Sequence, residues 1–214
     1  MITVRIRFKK IQEASYISLL DLQRVMQRVL KRSGLPVWYT LGFNPHIYMT
    51  FGCPLPLGEE SLCECVDVKT EEETPDYGQW RDALNRAMPA GIEVYAVYRA
   101  EAKADAIAFA NYRVSYSPAA RPVLEKYNAQ TSAPAEKKTK SGVREIELKQ
   151  YMPRLDAELL GGRLSFKVQL PSSGSLNLNP MLLCSYLEAQ YSLPVSDAAI
   201  LRTEFLTAEG KAFL

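Results

Sequence analysis

The sequence predicts an α+β chain built from two tandem ferredoxin-like units, each with the element order β-α-β-β-α-β. Three observations carry this expectation. Several short stretches alternate apolar and polar residues with period two, other stretches repeat apolar residues at helical spacing, and the two patterns recur in the same order in each half of the 214 residues. Domains most often run about 100–150 residues, so the repeat sets the units at 1–104 and 105–214.

In the first unit, Ile2, Val4, Ile6 and Phe8 alternate with Thr3, Arg5, Arg7 and Lys9, which is a strand with one apolar and one cationic face. Ser18-Leu19-Leu20-Asp21 reads as a capping box for a helix carrying Leu22, Val25, Met26, Val29 and Leu30, which Ser33-Gly34 and Pro36 stop. Val37–Thr40 with His46–Phe51, and then Cys63–Thr70, are the next strands. A helix over Pro75–Met88 ends at Pro89-Ala90-Gly91, and Ile92–Arg99 is the fourth strand. After an alanine-rich connector the order restarts with a strand at Tyr112, Val114 and Tyr116 and a helix at Ala119–Tyr127. The segment near 130–142 lacks periodicity and is expected to be a mobile loop. Strands at Val143–Gln150 and Arg163–Leu170, a helix from Asn179-Pro180 to Tyr191, and a strand near Ala199–Leu206 complete the second unit.

Composition is that of a globular protein, with 47% hydrophobic and 23% charged residues, and the net charge of +2 identifies no partner by itself. Four scattered cysteines do not make a disulfide framework, and the chain opens into a strand rather than a charged-then-apolar leader, so a cytoplasmic protein with free thiols is expected. No apolar run reaches the roughly 20 residues of a membrane span.

Gly42–Gly58 is the stretch around which the chain is organised. It holds the single histidine, His46, with three of the thirteen prolines (Pro45, Pro54, Pro56) and three of the eleven glycines (Gly42, Gly52, Gly58). Prolines and glycines at this density serve turn geometry, or they fix a binding loop on a rigid frame. Phe43, Asn44, His46, Phe51, Pro54, Pro56 and Gly58 are the binding candidates there. His46 is also the one catalytic candidate, although no nucleophile signature accompanies it. Cys63 and Cys65 lie two apart on a strand, unlike the loop-borne Cys-x-x-Cys pairs of metal sites, and no nucleotide-cradling or radical S-adenosylmethionine cysteine motif occurs, so neither metal nor cofactor is expected. Arg5, Arg7, Arg163 and Lys167 share the outward parity of their strands. They either pair with neighbours such as Asp67 or form a basic sheet face for a polyanion such as RNA.

Tyr16-Ile17-Ser18-Leu19-Leu20-Asp21-Leu22, Arg28-Val29-Leu30-Lys31-Arg32-Ser33-Gly34-Leu35-Pro36, Gly42-Phe43-Asn44-Pro45-His46 and Phe51-Gly52-Cys53-Pro54-Leu55-Pro56-Leu57-Gly58 resemble successive motifs of the bacterial radical-SAM-linked domain of unknown function. Val143-Arg144-Glu145-Ile146 and Ile200-Leu201-Arg202-Thr203 resemble its C-terminal motifs. Members usually carry a histidine where this chain has Leu19. The resemblance implies a partner, a B12-binding radical S-adenosylmethionine protein fused to or encoded beside the domain, and no reaction. Two readings follow. One is a non-catalytic accessory module that binds or presents an RNA-type substrate to that partner. The other is a metal-independent RNA-acting enzyme using His46 with Tyr39 and Tyr48.

Overall fold

The computed structural model describes every residue except Lys140 and Ser141. Among the described residues it is a mixed α+β structure of ten strands and four α-helices. By its contacts the chain divides into two compact units, Met1–Ala108 with Glu204–Leu214, and Phe109–Thr203. The sequence reading set the boundary at 104/105. It did not foresee that the last eleven residues return to the first unit.

In the first unit β1 (Ile2–Lys10) lies between β3 (Glu60–Thr70) and β4 (Ile92–Arg99), antiparallel to both, and β2 (Met49–Phe51) adds to β3. Helices α1 (Leu19–Ser33) and α2 (Tyr77–Ala87) cover one face of this sheet. α1 begins where the Ser18 hydroxyl accepts the Asp21 N–H at 3.1 Å, satisfying one of the backbone donors that a helix start leaves unpaired. Period-two alternation sends Val4, Ile6 and Phe8 of β1 and Val66 and Val68 of β3 into the core, where Met26 of α1 and Trp80 and Leu84 of α2 meet them. The opposite, helix-free face carries Arg5, Arg7 and Asp67.

The second unit pairs β5 (Phe109–Tyr116) with β9 (Arg163–Pro171) and β9 with β8 (Glu158–Leu160), all antiparallel. Helices α3 (Arg121–Ala129) and α4 (Met181–Tyr191) belong to it. β10 (Ala199–Leu206) runs from the second unit into the first.

Two expectations are corrected here. Part of the segment read as a loop near 130–142 is a strand, β6 (Pro134–Thr139), which pairs with β7 (Gly142–Glu147); Lys140 and Ser141 of that loop lie outside the described residues. The Glu147 carboxylate closes the base of this hairpin by accepting the Ser132 hydroxyl at 2.6 Å and the Ala133 N–H at 2.7 Å. The strand expected over Val143–Gln150 therefore pairs within a separate two-stranded sheet, and the neighbour of β9 is β8. Polar, cationic β6 has no alternation to betray it, and β8 is only three residues long.

No helix among the described residues is long and apolar enough to cross a membrane.

Candidate functional site

Residues 37–48 form a narrow antiparallel ribbon that reaches β3 through a bridge from Val37 to Thr70 and the Trp38 N–H donated to the Lys69 carbonyl at 2.8 Å. Tyr39 bridges Ile47, the Thr40 N–H donates to the His46 carbonyl at 2.8 Å, and buried Ile47 anchors the returning strand. The ribbon turns through Leu41-Gly42-Phe43-Asn44-Pro45. Gly42 has φ 121°, which a side chain would strain. Leu41 is 90% exposed and Phe43 is exposed along its whole side chain at 106%. A rigid frame thus presents two large apolar side chains to solvent.

His46 sits exposed on this turn. Its backbone N–H donates to Thr40 Oγ1 at 3.1 Å, and its Nδ1 lies 3.0 Å from the same oxygen and 3.2 Å from the Asn44 carbonyl. Nδ1 is committed to loop geometry, and Tyr39 and Tyr48 flank the ribbon half-exposed. Trp38 and Tyr48 meet edge to face at 6.3 Å, and Lys69 Nζ stands 4.5 Å from the Tyr48 ring centroid.

Phe51 packs on the core side of β2, so it supports the segment rather than lining a surface. At Gly52 a Cβ would stand 2.7 Å from Cys65 Sγ, a close approach only glycine permits, and the Gly52 N–H donates to the Cys65 carbonyl at 3.0 Å. The chain then leaves the ladder through Cys53–Gly58. Pro54 and Pro56 are exposed, Leu55 is buried between them, and the Gly58 N–H ties the loop to the Ser15 carbonyl at 3.0 Å. Leu19 lines a small cavity of about 10 Å³ with Pro54, Lys10 and Glu64, room for no more than a water.

A larger cavity of about 430 Å³ opens beside Tyr48, lined also by Thr3, Thr50, Lys69, Lys103 and Asp105. It combines an aromatic ring and hydroxyls with two lysines and three carboxylates, Glu101, Asp105 and the Arg5-paired Asp67, a set that can bind a polar ligand with both donors and acceptors. Lys69 and Lys103 escaped the sequence reading, although the alternation through Asp67-Val68-Lys69 places Lys69 on the same face as Asp67.

The four basic candidates do not act together. Arg5 is fully buried. Its Nε and Nη2 donate to the two Asp67 carboxylate oxygens at 2.8 Å each, Nη1 and Nη2 donate to the carbonyls of Leu214 at 2.7 Å and Ala102 at 2.6 Å, and the guanidinium lies 4.3 Å from the Phe213 ring centroid. Burial acts to lower its pKa, but the Asp67 hydrogen bonds and charge outweigh this and raise it. Arg7, 7% exposed, donates to the Phe213 carbonyl at 2.6 Å and has its Nε buried without a hydrogen-bond partner. The expected role of Arg5 and Arg7 in phosphate contact is therefore corrected. Their parity is outward, but the segment 204–214 covers that face. Arg163 is tied by Nη2 to the Ser115 carbonyl at 3.2 Å and to the main chain and carboxylate of Asp197. Lys167 is exposed, with Arg113 directly opposite it in the β5–β9 register. Arg113 also went unread, though Tyr112, Val114 and Tyr116 inward imply it outward.

Burial pushes the Cys65 thiol up to about 11, and Cys63 and Cys184 are buried too. No cluster of three or more His, Cys, Asp or Glu side chains placed for a metal ion occurs among the described residues.

No curated protein matches the chain. Among solved structures it is similar to the crystal structure of an unknown protein from Galdieria sulphuraria, at 11% identity over 93% of this chain and 95% of that one, with a TM-score of 0.27, too loose a superposition to carry any argument. Residues 3–180 match the family described as "Uncharacterized protein conserved in bacteria (DUF2344)". That match covers most of the chain, including the ribbon, the Pro-rich loop and the Arg113–Lys167 pair, and the chain belongs to this bacterial family.

Proposed function

We propose that this protein is a cytoplasmic accessory module, without turnover of its own, that docks on a radical S-adenosylmethionine partner and binds or presents an RNA-type substrate to it. Its architecture on this reading is two tandem ferredoxin-like units. The observation that carries the docking role is the Leu41–Phe43 tip, where two large apolar side chains stand in solvent on a hydrogen-bonded frame. Singly exposed apolar residues are ordinary, but a pair on an ordered turn stabilises nothing in the fold and suits a hydrophobic anchor for a protein partner. The radical S-adenosylmethionine identity of that partner comes from the motif resemblance. RNA is supported by the cavity beside Tyr48, where Lys69 and Lys103 can donate to a phosphate and Glu101 and Asp105 can accept from a sugar or base. Catalysis by His46 is the weaker reading, since the contacts that hold its ring, Thr40 and the Asn44 carbonyl, include no carboxylate to orient it as a base.

The test is co-purification from the native host with the radical S-adenosylmethionine protein encoded nearby, reading both bound protein and bound nucleic acid. Wild type is expected to retain the partner, and a Leu41→Ala/Phe43→Ala variant to lose it. Retention by the variant removes the tip from the interface. RNA turnover by the purified chain, abolished by His46→Ala, overturns the accessory reading.

A further inference from the structure

We propose that Arg113 and Lys167, on the outer face of the second unit's sheet, clamp a phosphate of a ribonucleotide ligand, an assignment that rests on the RNA reading above and adds to the cavity beside Tyr48 a phosphate contact on the second unit. The register places three residue pairs in a row on this face: Asn111 opposite Gln169, Arg113 opposite Lys167, and Ser115 opposite Ser165. The outer two satisfy themselves, with the Gln169 amide donating to the Asn111 oxygen at 3.1 Å and the two serine hydroxyls 2.8 Å apart. The middle pair opposes two cations. Directly opposed like charges destabilise a sheet, because such side chains stand about 5 Å apart at Cβ.

No direct partner relieves this repulsion. Neither Arg113 nor Lys167 has a hydrogen bond or ion pair among the described residues, while the neighbouring cations are committed, Arg154 to Asp156 at 2.6 Å and Arg163 to Asp197 at 3.5 Å. The pair instead borders a cavity of about 430 Å³. A planar guanidinium facing an ammonium across two strands is a two-sided donor set for one phosphate, and binding it would convert the repulsion into two charge-assisted contacts.

The other walls select among phosphates. Glu158 lies opposite Ser165 and lines the same cavity with Asp156, which Arg154 pairs, so a bare polyanion meets two carboxylates there, whereas a ribose hydroxyl or a base amino group can donate to Glu158. Exposed Leu160, opposite Arg163 on this face, adds an apolar wall for a sugar or base. Phosphate, hydrogen-bond donor and apolar ring in this arrangement describe a nucleotide unit, and the hydroxyl acceptor favours ribose over deoxyribose.

The experiment titrates the full-length protein with a short oligouridylate, its deoxy counterpart, uridine 5′-monophosphate and inorganic phosphate, by fluorescence anisotropy or calorimetry and by amide chemical shifts. Oligouridylate is expected to bind more tightly than the other three and to shift the amides of Arg113, Ser165 and Lys167. Arg113→Glu/Lys167→Glu should weaken it at least about tenfold and flatten the slope of log affinity against log salt by about one per charge removed. Glu158→Gln should narrow the preference for the ribo- over the deoxy-oligonucleotide. All three side chains are exposed or half-buried, so the variants should keep the wild-type melting temperature. Oligouridylate binding unchanged in the charge-reversed protein overturns this site and leaves the RNA reading standing. Inorganic phosphate bound as tightly as the oligonucleotide, and lost on charge reversal, overturns the ribonucleotide assignment at this site and leaves the RNA reading to the cavity beside Tyr48. No binding of any probe by wild type overturns the proposal outright.

Discussion

Arg5 keeps its charge in a fully buried position because Asp67 meets it with both carboxylate oxygens and two carbonyls take the remaining donors. A buried pair of this kind adds little over a well-packed apolar pair, but removing one partner strands the other charge. Asp67→Ala should therefore lower unfolding stability by about 3–5 kcal/mol, and the double replacement Arg5→Met/Asp67→Leu should recover most of it. Denaturant unfolding reads both; a loss under about 1 kcal/mol for Asp67→Ala would mean that water reaches Arg5. The buried thiols make a second residue-scale prediction. At pH 8 a thiol reagent should modify half-buried Cys53 first, with Cys63, Cys65 and Cys184 reacting only through unfolding. Because burial raises the folded-state value of Cys65 to about 11, its contribution to stability is present below the usual thiol range near 8.5 and is lost as pH rises toward 11. Labelling of Cys65 as fast as Cys53 would contradict its burial.

At the scale of elements, the sequence was most legible where one face is buried and the other is not. β1, β3, β9 and the Ser18-capped helix follow from alternation and capping alone, because burial enforces the period that the eye reads. The β6–β7 hairpin was illegible for the converse reason: Glu136, Lys137 and Lys138 carry no apolar face, and the hairpin rests on register and the Glu147 carboxylate. The ribbon at 37–48 was legible as two extended pieces with a turn, but the exposure of its tip was not, since Phe43 and Ile47 are both large, apolar and near the turn. They separate in a measurement. Ile47→Ala should cost about 2–5 kcal/mol as a core truncation, whereas Leu41→Ala/Phe43→Ala should leave stability within about 0.5 kcal/mol. Comparable losses from both would show the tip to be packed.

At the scale of the whole chain, local pattern gave the parity of Arg5 and Arg7 and could not give their burial, because the covering residues lie about two hundred positions away, at separations of 209 for Arg5 to Leu214 and 206 for Arg7 to Phe213. Leu206 bridges Ala212, which folds the segment back, and the buried Phe213 ring lies 4.3 Å from the Arg5 guanidinium. The segment 204–214 thus belongs to the first unit although β10 enters it from the second. Phe213→Ala removes that ring, and a buried phenylalanine truncated to alanine costs about 3–5 kcal/mol. The cost should fall unevenly, because Phe213 contacts Arg5 and Arg7 of β1. Native-state hydrogen exchange resolves this unit by unit, where a single melting temperature would average it. Amides of β1 and β3 should lose protection by several powers of ten while those of β5 and β9 keep theirs. Equal loss in all four strands would show that the chain unfolds as one cooperative body, and the return of residues 204–214 to the first unit would then carry no separate stability.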